Sequence, residues 1–271
     1  MSQASHYPTP TESPHGHPAA SRTITRRGFL TAGTVIAASA AVPARPARAW
    51  QRAAAAPRLA GVRRALPSGR AYQLYGTGSR LVIGLPGTGL SAQNANDTFW
   101  VTGVPATTGW QNHAAASGYA LALGESLAGG WNVGNGWPGG SQDDMAYLLQ
   151  LVVDAGTFDE VFIAGFSAGG AMAWRAAAQH PEVFAAAGSA EGWAPMYPAQ
   201  PIDCWHVHGT GDTTVPIRGG VGTASFTFPP AFQETSRAPR GSRVVLEATS
   251  GGHGTAGWMA GRLWDFWTNG R

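Results

Sequence analysis

The chain has 271 residues, 44% hydrophobic and only 12% charged, which is enough apolar material to fill the core of one sizeable domain. Its formal charge of +3 comes from an Arg-rich N-terminus: without Arg22, Arg26, Arg27, Arg45, Arg48 and Glu12, 13 basic side chains face 14 acidic ones, none of the 13 a lysine. That balance excludes a strongly basic nucleic-acid surface. The sole cysteine, Cys204, excludes an internal disulfide, and no His/Cys/Asp cluster has zinc or calcium spacing.

In chain order, the first feature is a leader. Thr25-Arg26-Arg27-Gly28-Phe29-Leu30 is a twin-arginine motif, followed by an apolar stretch over residues 31–42 and the small-x-small site Ala47-Arg48-Ala49. The pattern predicts cleavage after Ala49 and passage through the twin-arginine export machinery to the periplasm or the exterior. The apolar stretch is too short to span a membrane, and no lipobox cysteine follows it, so no stable membrane anchor is expected. Residues 50–70 are Ala/Arg/Pro-rich and read as a lead-in or edge segment; residues 71–271 read as one folded domain.

Within that domain, residues 71–76 predict an early antiparallel strand. Further strands are expected at 81–85, 119–123, 161–164, 183–188, 205–208 and 243–249. Helices are expected at 144–154 and 171–180, with a closing helix over 258–267. Ser141 with Asp144 three residues later has the form of a capping box for the first of these. Strands alternating with helices predict a mostly parallel twisted sheet flanked by helices, an α/β architecture.

Chemistry concentrates at Gly165-Phe166-Ser167-Ala168-Gly169. This G-x-S-x-G lies between an apolar, partly β-branched run and an Ala-rich helical run. Small residues on either side let the chain make a sharp strand-to-helix turn that projects the Ser167 hydroxyl, and the following helix N-terminus favours negative charge there. Such a nucleophile needs a base and an acid that orients it. His253, in Ser250-Gly251-Gly252-His253-Gly254 after the last expected strand, is the candidate base. Asp212, in the turn after the strand at 205–208, is the candidate acid, with Asp203 at the wrong end of that strand as the fallback. Asp212 could also shape its own turn through an Asx hydrogen bond, and His208 reads as a strand-end hydrogen-bonding residue. For the oxyanion the candidate donors are the amides of Ala168 and of Thr88, in the loop Pro86-Gly87-Thr88-Gly89. Trp131 and Trp137 bracket a Gly/Asn loop, and Trp193 follows a strand end; all three are candidate substrate contacts, or else they cover core.

Four blocks together resemble the secreted esterases grouped as polyhydroxybutyrate depolymerase-like, feruloyl and acetylxylan esterases. They are residues 81–89, Asp143-Asp144, residues 159–188 and residues 208–217. The resemblance implies an α/β-hydrolase fold, a Ser167-Asp212-His253 triad, an oxyanion hole near Thr88, and ester hydrolysis without metal or organic cofactor. The chain departs from it at Pro86-Gly87, where relatives carry His-Gly, and at Thr255, where relatives often carry Trp. The expected substrate is a small or polymeric carboxylic ester: a polyhydroxyalkanoate, a feruloyl or acetyl polysaccharide ester, or a short-chain ester. An acyltransferase using the same triad, or a silent polysaccharide- or polyester-binding protein on the same scaffold, are the alternative readings.

Overall fold

The computed structural model describes residues 60–91, 109–127, 129–254 and 258–269. The segment expected to be a leader, the expected cleavage site and the first part of the expected lead-in fall outside them. The domain is built on an eight-stranded sheet of order β1-β2-β4-β3-β5-β6-β7-β10. Its strands are β1 (Val62–Ala65), β2 (Ala71–Tyr75), β3 (Arg80–Leu85), β4 (Ala120–Gly124), β5 (Glu160–Phe166), β6 (Ala186–Ala190), β7 (Asp203–Gly209) and β10 (Arg243–Thr249). β1 and β2 pair antiparallel, and so do β2 and β4; every pairing from β4 through β3 to β10 is parallel. A small hairpin, β8 (Gly220–Val221) with β9 (Thr227–Phe228), stands apart from this sheet.

The central strands are continuous apolar runs rather than alternating ones, because both faces of the sheet are covered. One core contains Leu148 and Leu151 of α2 (Asp144–Ala155) with Met172 and Trp174 of α3 (Ala168–Gln179). The other contains Trp110 and Ala114 of α1 (Trp110–Ser117) with Leu263 and Trp267 of α5 (Met259–Thr268). The short helix α4 (Phe232–Ser236) precedes β10.

Three local features differ from the sequence expectations. The strand expected at 183–188 begins at Ala186, because the Val183 and Phe184 amides bond to His180 O and close the turn after α3. Pro181 favours an extended residue before it, and His180 leaves the helix at φ −131°. The cap of α2 is Asp143, whose carboxylate accepts from the Ala146 amide, and not Ser141. Asp144 points inward instead, bonded to Arg70 at 2.6 Å and to the Asn132 amide. The Arg70 guanidinium lies 3.6 Å from the centroid of the Tyr147 ring. So Arg70, anticipated in a lead-in, is a buried brace of the domain, and β1 in the same segment is the sheet's edge strand.

The chain turns back at the middle of the sheet: β4 lies on one side of β3, and β5, β6, β7 and β10 lie on the other. In such sheets the crevice at the carboxyl ends of the strands, where the order reverses, is where ligands bind. The loop after β3, the turn after β5 and the loops after β6, β7 and β10 all open onto that edge.

Candidate active site

Strand β5 ends at Phe166 and α3 begins at Ala168, so Ser167 alone makes the turn. It does so at φ 53°, ψ −123°, a strained conformation for a residue with a Cβ. Its amide bonds to Ala190 O, and its carbonyl accepts from the Ala171 amide. The flanking glycines are required by close backbone approach. A Cβ on Gly165 would lie 2.3 Å from the Gly169 carbonyl carbon, and one on Gly169 would lie 2.4 Å from Pro86 O. Backbone cannot yield as a flexible side chain can. Gly169→Ala is therefore expected to cost about 3 kcal/mol in chemical denaturation; a variant as stable as wild type would show that the turn and the β3 loop can separate.

Asp212 follows β7 and is buried. Its two oxygens divide their work. Oδ1 accepts from the Thr214 and Val215 amides at 2.8 and 2.9 Å, the Asx-turn arrangement. Oδ2 meets His253 Nδ1 at 2.7 Å and His208 Nε2 at 3.2 Å. Burial alone would raise the carboxyl pKa. Hydrogen bonds from His208, from His253 and from the Val215 amide outweigh it and hold Asp212 well below the usual carboxylate range. The loops carrying Asp212 and His253 are stitched together by Thr210 N–H to Thr249 O and Gly211 N–H to Gly251 O. His253 also packs against Phe166, the residue before Ser167, with ring centroids 4.8 Å apart. Ser167, Asp212 and His253 thus stand at one edge of the sheet, on strands that are near neighbours, and the fallback Asp203 lies at the opposite end of β7, paired with Arg243.

A second buried carboxylate, Glu191, joins them from the end of β6, at φ 53°. Both of its oxygens accept from the Gly209 amide, at 3.0 and 2.9 Å. Burial, reinforced by the neighbouring Asp212, pushes its pKa up to about 9 against the lowering effect of the Gly209 hydrogen bond. Glu191 therefore carries its proton at neutral pH. Because the folded-state value lies above the unfolded one, the folded state holds the extra proton between about pH 4.3 and pH 9, and stability falls as pH rises through that window. Glu191→Gln, a neutral isostere, removes this slope. Its stability advantage over wild type is expected to widen from pH 5 to pH 9, to a few kcal/mol; parallel urea midpoints across that range would contradict the assignment.

Glu191, Asp212 and His253 are also the one trio of possible metal ligands among the described residues, with donor atoms within 4.8 Å of one another. Asp212 Oδ2 and His253 Nδ1 face each other, and the Glu191 oxygens face the Gly209 amide.

The loop after β3 lies against the Ser167 turn: a Cβ on Gly87 would meet the Phe166 ring at 2.8 Å. Within the loop, the Gly89 amide is used by Gly129 O and the Leu90 amide by Gly87 O, while Thr88 is exposed at the tip. Ala168 is buried at the first position of α3. The tryptophans divide. Trp131 is wholly enclosed and donates its indole N–H to Pro86 O at 2.7 Å, so its contact is with the loop and it presents no face to a ligand. Trp137 is partly buried and packs against Trp193, Phe226 and Phe228. Trp193 is buried in the same aromatic cluster.

Sequence reasoning did not anticipate Glu191, nor the pair His206 and Glu234 behind His208. For Glu191 the signal was there: an acidic residue follows directly on the apolar strand end Ala186–Ala190.

A model of the alpha/beta hydrolase fold family matches residues 81–215, from β3 through the elbow to the loop that carries Asp212. The chain has the α/β-hydrolase fold. Among solved α/β structures, TT1662 from Thermus thermophilus superposes with a TM-score of 0.52 at 16% identity, over 79% of this chain and all of that one. At that identity the likeness concerns the fold alone. Among curated proteins, "Putative esterase NocK" of Nocardia uniformis subsp. tsuyamanensis is 35% identical over 95 residues. The match spans 33% of this chain and 27% of that relative.

Proposed function

We propose that this α/β hydrolase is an exported serine esterase acting through Ser167, His253 and Asp212. The observation that carries the reading is the 2.7 Å contact of His253 Nδ1 with Asp212 Oδ2, at the sheet edge where Ser167 is held in a strained turn. With Nδ1–H donated to Asp212, the lone pair of His253 rests on Nε2 and is free to take the serine proton. The Ser167 hydroxyl attacks the ester carbonyl, and its proton passes to His253. Asp212, an anion held in place by its own turn, stabilises the imidazolium. The amides of Ala168 and Thr88 receive the oxyanion, aided by the N-terminus of α3. The imidazolium then protonates the leaving alcohol, water is activated in the same way, and the acid departs.

The likeness to "Putative esterase NocK" supports the carboxylic-ester reading, and the twin-arginine motif supports export. A cavity of about 410 Å³ opens beside His253, walled by Glu191, Thr249, Trp258 and Met259. Polyhydroxyalkanoates, feruloyl or acetyl polysaccharide esters and short-chain esters fit this chemistry. The test is turnover of p-nitrophenyl esters from acetate to decanoate. Turnover with an optimum at a short acyl chain supports the reading and sizes the pocket. Release of nitrophenol only when an alcohol is added, with the acyl group recovered on that alcohol, overturns hydrolysis in favour of acyl transfer.

A further inference from the structure

Behind Asp212 lies a row of buried titratable groups that the mechanism above leaves unused. Glu234 Oε2 is 2.6 Å from His206 Nδ1, His206 Nε2 is 3.0 Å from His208 Nδ1, and His208 Nε2 is 2.7 Å from Val215 O. All three side chains are buried, and Glu234 Oε1 has no partner.

The acceptors fix the protons. A carbonyl only accepts, so His208 Nε2 must carry a hydrogen. One proton must lie between the two imidazoles and one between His206 and Glu234. These three contacts need three protons, one more than two neutral imidazoles supply. The third is held by the Glu234–His206 pair, and the trio as a whole is neutral. The His208 Nε2–H so fixed also faces Asp212 Oδ2 at 3.2 Å, and more distantly Glu191 Oε2 at 3.5 Å.

We propose that His208 is a positioning residue for Asp212, kept as an Nε2–H donor by the proton that His206 and Glu234 hold between them. Asp212 Oδ2 then receives the His253 N–H in front and, behind, shares the His208 Nε2–H with its nearer acceptor Val215 O. The oxygen that orients His253 cannot swing away. The charged and titratable groups facing this row are Asp212, Glu191 and His253 at one end and Glu234 with Cys204 at the other.

The consequence can be read at a distance from Asp212. Replacing Glu234 by Gln supplies an amide N–H to His206 Nδ1, so the chain of donors toward Asp212 survives. Replacing it by Ala removes the donor. His206 Nδ1 then faces no hydrogen, only Val215 O still holds the two imidazole hydrogens in register, and the support behind Asp212 loosens.

The inference rests on Asp212 as the site's acid, so its test includes a readout independent of turnover. Nitrogen-resolved imidazole spectra of ¹⁵N-labelled wild-type protein are expected to show His208 Nε2 protonated from pH 6 to pH 9. A bare His208 Nε2 there overturns the proposal even if the protein hydrolyses no ester. In kcat/KM profiles, Glu234→Gln is expected to keep the wild-type shape. Glu234→Ala, without that donor, is expected to lose about tenfold in kcat at an unchanged KM. The same kcat in wild type, Gln and Ala would overturn it. If the Ala variant does not fold, the wild-type spectra and the Gln profile decide.

Discussion

Ser167→Ala is expected to abolish ester hydrolysis, with a loss in kcat of about 10⁵-fold or more, because no other hydroxyl can stand at the turn after β5. The fold should survive. Alanine keeps the Cβ that already strains the turn at φ 53°, and the half-buried hydroxyl has no structural hydrogen bond to lose among the described residues. Stability should therefore change by less than about 1 kcal/mol. Ser167→Gly offers a companion measurement. It relieves the positive φ, and should raise stability by about 1 kcal/mol while remaining inactive. A Ser167→Ala protein that is folded and retains near wild-type turnover would remove this serine from the mechanism.

Asp212→Asn is expected to lower kcat by about 10⁴-fold while leaving substrate binding largely intact. The reason is again a tautomer. The asparagine carbonyl can replace Oδ1 and keep the Thr214 and Val215 amides satisfied, which preserves the turn. Its amide N–H₂ must then occupy the place of Oδ2, facing His253 Nδ1. A donor there forces the imidazole hydrogen onto Nε2, where the serine proton has to go. The same substitution sets the amide against the His208 Nε2–H. Its effect on stability has a definite pH sense. Asp212 has a lowered folded-state pKa, so its contribution is present above about pH 4, the unfolded value, and is lost as pH falls below it. The stability deficit of the variant should therefore shrink on acidification. A deficit that grows toward low pH would contradict the ionised, hydrogen-bonded carboxylate.

Much of this site can be reasoned out from local sequence because its parts are made by local rules. A G-x-S-x-G between an apolar run and an Ala-rich run forces the elbow, since backbone contact at Gly165 and Gly169 leaves no room for a Cβ. A Gly-rich segment after the last strand carries His253 for the same reason that such segments form loops. What the sequence hides are contacts between residues far apart along the chain. Trp131 looks like a loop aromatic open to ligand, yet its indole N–H reaches back 45 residues to Pro86 O. Asp144 sits where a capping box would use it, but Arg70, 74 residues away, draws it inward. Glu191 and Asp212 meet because β6 and β7 are neighbours in the sheet, a pairing that no periodicity encodes. The helix α1 escapes notice because its Ala/Asn/Gln/Ser composition has little apolar periodicity.

The measurement that tests the central claim most directly is covalent labelling of the folded protein with a fluorophosphonate, followed by peptide mass mapping. An ordinary serine does not react, whereas one activated by a neighbouring imidazole does. The account predicts one label per chain on the peptide containing Ser167, lost in Ser167→Ala and in His253→Ala. No labelling, labelling at another residue, or undiminished labelling in His253→Ala would contradict it.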